Sequence, residues 1–285
     1  MKYKISKQQL GNDLLFDTLA ALQKSMAAHG CPLFVVGAQA RDIAMKILGV
    51  DESKRRTCDL DVAVGVQNWM LFDGICKTLE NNNFKRIGNT QKFIYRNNDY
   101  EVDIVPFGGV EENEQICWPP DGNPVMSVKG FQNIMQASNT VVIENNVEIR
   151  IPTLCGLFFL KLDAWKDRHD STNKDAIDMI YILKNYFDIQ IQSDITPPNV
   201  IDFYQEDSDS IIWGIQWLAY DAGQILTAEH RKYFSDFVSN ELRKKYKSKL
   251  IIQLMQNFEK SQSENSSIYY EIVCKILKNL VDVLA

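Results

Sequence analysis

Thr57-Cys58-Asp59-Leu60-Asp61-Val62-Ala63-Val64 is the stretch on which the fold turns. Asp59 and Asp61 alternate with apolar residues, so the stretch reads as a strand. Successive side chains of a strand point to opposite faces, which makes the two aspartates project together with Cα atoms ~6.5 Å apart. Leu60, Val62 and Val64 face the other way and anchor the strand in a core. Carboxylates this close repel each other unless a cation lies between them, and hard divalent ions such as Mg²⁺ or Mn²⁺ prefer oxygen ligands. A lone Asp-x-Asp is also met as a merely solvated or hydrogen-bonded pair, so the neighbouring sequence decides its meaning.

Upstream, Leu33-Phe34-Val35-Val36 is a short apolar run of buried-strand type. It ends at Gly37-Ala38 and passes into a helix-like stretch, Gln39 to Leu48, stopped by Gly49. A strand, a glycine turn and a helix start gather free backbone N–H groups and a positive dipole end, which is a seat for phosphate. Downstream, Lys92-Phe93-Ile94-Tyr95-Arg96, the turn Asn97-Asn98-Asp99, and Tyr100 to Pro106 predict a hairpin. It carries a third carboxylate, Asp103, while Tyr100, Val102 and Ile104 face away from it. Glu101, on the same face, competes with Asp103 for that role. A phosphate-binding turn with three carboxylates is the parts list of two-metal phosphoryl chemistry, in which ions about 3.5–4 Å apart clamp the attacking and leaving oxygens.

This constellation resembles the nucleotidyltransferase superfamily, the polymerase-β-like fold. Its pattern is an apolar strand ending in Gly-Gly or Gly-Ser, then Asp-x-Asp or Asp-x-Glu, then an aspartate on a later strand. The matching positions are Gly37-Ala38, Asp59 and Asp61, and Asp103. Ala38 stands where a serine usually offers a hydroxyl to the phosphates, so only the backbone amide remains there. Val36-Gly37-Ala38-Gln39-Ala40-Arg41-Asp42 is also similar to the Gly-Gly-x-x-Arg-Asp turn of CCA-adding nucleotidyltransferases.

A second motif lies further on. Leu157 to Arg168 is a helical run in which Lys161, Trp165 and Arg168 fall on one stripe. A polar loop, His169 to Asn173, leads to Lys174-Asp175-Ala176-Ile177-Asp178, where the two aspartates are one turn apart. The set resembles the AbiEii/AbiGii toxin-type nucleotidyltransferases, whose second half carries a helical lysine and then a basic residue, aspartate, two residues and aspartate. Read from the residues alone, Lys161 is equally a side chain lying along a core with its ammonium in water. Asp175 is then a helix N-terminal charge and Asp178 its exposed neighbour. Arg41 and Asp42 equally form a local pair.

Composition bounds the rest. A chain of 285 residues with 45% hydrophobic content can bury a full core, and the length allows two domains. No N-terminal signal is read in Met1-Lys2-Tyr3-Lys4 and the polar residues after it, and the longest apolar runs are too short to span a bilayer. The six cysteines are scattered without a Cys-x-x-Cys pair and read as reduced residues of a cytoplasmic protein. His29, His169 and His230 adjoin no obvious nucleophile; His169 lies in the loop of the second motif. The formal net charge of −6 argues against indiscriminate nucleic-acid binding but allows local basic patches. Three are visible: Lys54-Arg55-Arg56; Lys161, Lys166, Arg168 and Lys174; and Arg243-Lys244-Lys245 with Lys247 and Lys249, the last read as a solvated helix face.

In outline, residues 12–29 form an amphipathic helix with Leu15, Leu19, Leu22 and Met26 on one face, closed by Gly30. Strands and helices mix from 33 to about 151, with a further hairpin signal at Asn145-Asn146, and after Pro152 the pattern is almost wholly helical, the stretch Val200 to Tyr204 included. Trp213 and Trp217, one turn apart, read as core packing. The expected class is α+β: residues 1–151 a nucleotidyltransferase-like mixed sheet with flanking helices, and 152–285 a helical domain that completes the active-site cleft. The resemblance implies transfer of a nucleoside monophosphate from an NTP such as ATP to an acceptor hydroxyl. Asp59, Asp61 and Asp103 would bind Mg²⁺ (or Mn²⁺). Gly37, Ala38, Arg41, Arg168 and Lys174 would hold the nucleotide, and Lys161 and Asp175 would complete the catalytic set. It further implies an RNA acceptor such as a tRNA end, or a protein, and a partner antitoxin. A small-molecule (aminoglycoside-type) transferase, a CCA-adding-like enzyme and a non-catalytic NTP-binding or interaction protein are the alternatives.

Overall fold

Alternation of apolar and polar residues builds the first half of the chain, and helical periodicity builds the second. The computed structural model describes residues 1–50, 59–88, 91–96, 100–201, 203–204, 209–258 and 266–285. Thr57 and Cys58, the patch Lys54-Arg55-Arg56 and the turn 97–99 lie outside the described residues. Contacts divide the chain into two units, Met1–Thr153 and Leu154–Ala285, against the boundary at 151/152 expected from Pro152.

The first unit begins with β1 (Lys2–Ile5), α1 (Lys7–Leu10) and α2 (Asp13–Ala27), then β2 (Phe34–Val36), α3 (Gly37–Ile47), β3 (Asp59–Val66) and α4 (Trp69–Asn81). It continues with β4 (Phe84–Arg86), β5 (Lys92–Tyr95), β6 (Tyr100–Gly108), β7 (Gln115–Cys117), β8 (Val125–Ser127), α5 (Phe131–Gln136), β9 (Asn139–Ile143) and β10 (Val147–Ile151). Eight strands form one mixed sheet in the order β1-β9-β10-β2-β3-β6-β5-β4, and β7 pairs with β8 apart from it. The pairs β1/β9, β10/β2 and β3/β6 are parallel; the others are antiparallel. The α+β class with a mixed sheet agrees with the sequence expectation.

Local chemistry explains the element ends. Asn12 caps α2 by accepting from Leu15 N at 3.0 Å, and Gly30 closes the following turn at φ 69°. Leu15, Leu19, Leu22 and Met26 are buried, and α2 packs on β10, β6 and α4. In β3 the apolar face, Leu60, Val62 and Val64, has no exposed surface at all.

The second unit comprises α6 (Leu154–Arg168), α7 (Lys174–Gln192), α8 (Ser210–Ile225), α9 (Ala228–Lys244), a 3₁₀ turn (Lys245–Lys247), α10 (Lys249–Phe258) and α11 (Ser266–Leu284). Asp209 caps α8 by accepting from Ile211 N and Ile212 N. Trp217 is buried, and Trp213 lies 5.2 Å from Phe187, centroid to centroid. Helix was expected at 200–204, yet Val200, Phe203 and Tyr204 are in turns, Tyr204 almost fully exposed. A stretch of only five residues forms too few backbone hydrogen bonds to offset the cost of nucleating a helix. Among the described residues no helix is long and apolar enough to cross a membrane.

Candidate functional site

Register, not sequence spacing, assembles the acidic face. Because β3 and β6 run parallel, Asp59 stands beside Glu101 and Asp61 beside Asp103. Neighbouring strands lie ~4.8 Å apart and paired residues share a face, so the four carboxylates belong to one patch on the side opposite Leu60, Val62, Val102 and Ile104. Glu101 therefore joins the set rather than replacing Asp103. Asp59 and Glu101 are exposed, while Asp61 and Asp103 are half-buried.

Gly37 borders this patch at Asp61. Val36, the last residue of β2, pairs with Asp61, and Gly37 follows it at φ 69°, a conformation glycine adopts without cost. A Cβ at Gly37 would overlap the Asp61 carboxylate, so backbone and carboxylate are in direct contact only because the side chain is missing. Here α3 begins, two residues ahead of the expected Gln39. Its N-cap Val36 supplies no side-chain hydrogen bond, and the positive end of the helix stands beside Asp61. Ala38 is buried in the first turn. Arg41 is buried too, and its Nε donates to Asp42 Oδ1 at 2.8 Å, the local pair that was one of its two sequence readings.

Lys92 was not foreseen. The β5/β6 hairpin places it opposite Asp103, with Nζ 3.5 Å from Asp103 Oδ1. Only the hairpin register reveals it. Desolvation raises the Asp103 pKa; Lys92 opposes this, and the negative charges of Asp59 and Glu101 add to the rise. The donors are all carboxylate oxygens, without thiol or imidazole, and suit a hard cation such as Mg²⁺ or Mn²⁺. Among the described residues no three Asp, Glu, His or Cys side chains close into a ready ligand cage.

The second motif is a largely buried arrangement inside the helical unit. Lys161 Nζ lies 2.7 Å from Asp178 Oδ2 and 3.4 Å from Asp175 Oδ1. Arg168 grips Asp175 through Nε and Nη2, each at 2.6 Å from an oxygen. Lys161, Asp175 and Asp178 are buried; the Arg168 side chain is 51% exposed, and Lys174 is in solvent. Asp178 is thus no exposed neighbour: it points between α6 and α7 because Lys161 draws it there. Burial alone would raise the Asp175 pKa, but the Arg168 hydrogen bond and the Lys161 and Arg168 charges overcome it and hold the carboxyl below its usual range.

Trp165, on the same stripe, donates from Nε1 to Gln253 Oε1 at 2.7 Å, and His169 stacks on its ring at 4.2 Å between centroids. His169 is thereby fixed against the protein. Lys166, from the same patch, contacts the Tyr233 hydroxyl, which donates to Asp163. His29 meets the Thr78 hydroxyl at 2.7 Å, and His230 is buried in α9.

Set against protein-family models, curated proteins and solved structures, the chain finds no match.

Proposed function

We propose that the chain is a metal-dependent nucleotidyltransferase that moves a nucleoside monophosphate from an NTP to an acceptor hydroxyl. The observation that carries this reading is the β3/β6 register, which sets Asp59, Asp61 and Asp103 on one face against the Gly37 turn. Asp59, Asp61 and Asp103 would hold Mg²⁺ or Mn²⁺, which when bound neutralises triphosphate charge. The backbone amides at the start of α3 hold a phosphate oxygen. Asp103 orients the acceptor hydroxyl and takes its proton. The hydroxyl oxygen bonds to the α-phosphorus, the bond to the bridging oxygen breaks, and pyrophosphate leaves. Catalysis of this kind is positioning and charge stabilisation, without a covalent protein nucleophile.

Within the second motif, Lys174 is exposed and the Arg168 side chain is half-exposed beside Asp175, and these two would meet an anionic ligand. Lys161 and Asp175 serve as positioning residues that set Arg168 through the buried ion pairs. RNA such as a tRNA end, or a protein, is the proposed acceptor, in the manner of an AbiEii-like toxin held by an antitoxin. Calorimetry tests the core of the proposal. NTP with Mn²⁺ should bind the wild-type chain and not Asp59→Asn/Asp61→Asn; equal binding by both would contradict it.

A further inference from the structure

The basic run at the end of α9 is not a plain solvated helix face. Lys245 leaves the helix at φ 52°, a conformation that a non-glycine residue keeps only where its surroundings impose it. The surroundings do. Glu241, buried in α9, accepts from the fully buried Ser248 Oγ at 2.6 Å and from Lys244 Nζ, and Ser248 Oγ in turn caps Ile251 N at 3.2 Å. A buried carboxylate thus pins both ends of the 3₁₀ turn, and Lys245, Tyr246 and Lys247 all project into solvent.

Tyr246 is not loose there. Its ring stacks on Tyr270 of α11 with centroids 4.0 Å apart and planes inclined by 19°, yet Tyr246 remains 69% exposed. One face is backed by a ring and the other is open. Among the described residues Lys245 and Lys247 form no ion pair, and Arg243 is bonded to the neutral Asn240 amide oxygen at 2.7 Å, so its charge stands. Lys244 and Lys249 are taken by Glu241 and Asp170, and Glu271, beside Tyr270, is the nearest acid in sequence to the stack.

From this pair of stacked tyrosines flanked by three cations that have no acidic partner among the described residues, in a chain of net charge −6, we infer a binding platform for single-stranded nucleic acid. A base stacks on the open face of Tyr246 while Arg243, Lys245 and Lys247 meet the phosphates, a combination that is tolerant of sequence. A duplex, with its bases already stacked on one another, offers the tyrosine nothing. The inference stands apart from nucleotide transfer: the platform lies wholly in the helical unit, and its binding needs neither NTP nor metal.

The test is fluorescence anisotropy with the full chain in EDTA, using labelled 15-mers of oligo(U), oligo(dT) and a matched duplex. Both single strands, or either one, should bind better than the duplex, with affinity falling as salt rises. Tyr246→Ala should weaken binding about tenfold or more, Tyr246→Phe should keep it, and Lys245→Glu/Lys247→Glu should weaken it and flatten the salt dependence. Equal binding by Tyr246→Ala, preference for the duplex, or polyglutamate competing as well as oligo(U) would overturn the inference. Because EDTA removes metal-dependent transfer, loss of the acidic site would leave this result unchanged.

Discussion

Lys161 is held between two buried aspartates, and its worth follows from that burial. An exposed helix charge contributes ~0.3–1 kcal/mol, but removing one partner of a buried pair costs about 3–5 kcal/mol because the other charge is left uncompensated. Lys161→Ala should therefore lower stability by about that amount in urea unfolding; a loss under ~1 kcal/mol would show that Asp175 and Asp178 do not depend on it. Asp175 gives a pH signature. Its pKa is depressed, so it adds stability above the usual carboxylate range, and that stability is lost as pH falls through the lowered value. Arg168→Gln should start acid unfolding at higher pH, an effect limited by water around the half-exposed guanidinium. Asp103 has the opposite sign. With its pKa raised, the fold favours its protonated form at low pH, and this contribution is lost as pH rises through the raised value. Transfer needs the ionised form, so activity should climb across that same window. The acid limb of the pH–rate profile should move to lower pH as Mg²⁺ is increased, since a cation favours the carboxylate; a limb in the usual carboxylate range that ignores Mg²⁺ would contradict the assignment.

Elements place these residues, and some of that placement is written locally. The alternation in 59–64 shows which residues of β3 face the core, and the apolar stripe of α2 shows its buried side, because both depend on one period along one element. The β5/β6 and β9/β10 hairpins are legible for the same reason: their pairing is between neighbours. What escapes is pairing at a distance. Lys2–Ile5 gives no sign that it runs parallel to Asn139–Ile143, and the three-residue strands β4, β7 and β8 are too short to show a period. Asp178 could not be seen as buried because the charge opposing it sits on another helix. The contact of Gly37 with Asp61 is likewise made by the strand-to-helix turn, and it yields a test. Gly37→Ala must bear a left-handed backbone, costing about 1–2 kcal/mol, and must push the Asp61 carboxylate away. The variant should stay folded with reduced stability and lose Mn²⁺-dependent NTP binding; unchanged binding would separate the turn from the site.

Taken as a whole, the chain joins an acidic sheet face in its first unit to a helical unit with a buried charge cluster and a basic, aromatic turn. Ligand that binds the folded state raises its stability, by about 2.7 kcal/mol at a hundred times Kd, so NTP with Mg²⁺ should raise the melting temperature of wild type and not of Asp59→Asn/Asp61→Asn. The central claim is that the aspartates of β3 and β6 transfer nucleotides. Its most direct measurement is incubation of the protein, with Mg²⁺ or Mn²⁺, with each α-labelled NTP and total cellular RNA and protein. The account expects at least one NTP to label an RNA or a protein, with release of pyrophosphate and with label lost in folded Asp59→Asn/Asp61→Asn. Absence of labelling with all NTPs and both metals, or equal labelling by the double variant, would contradict it.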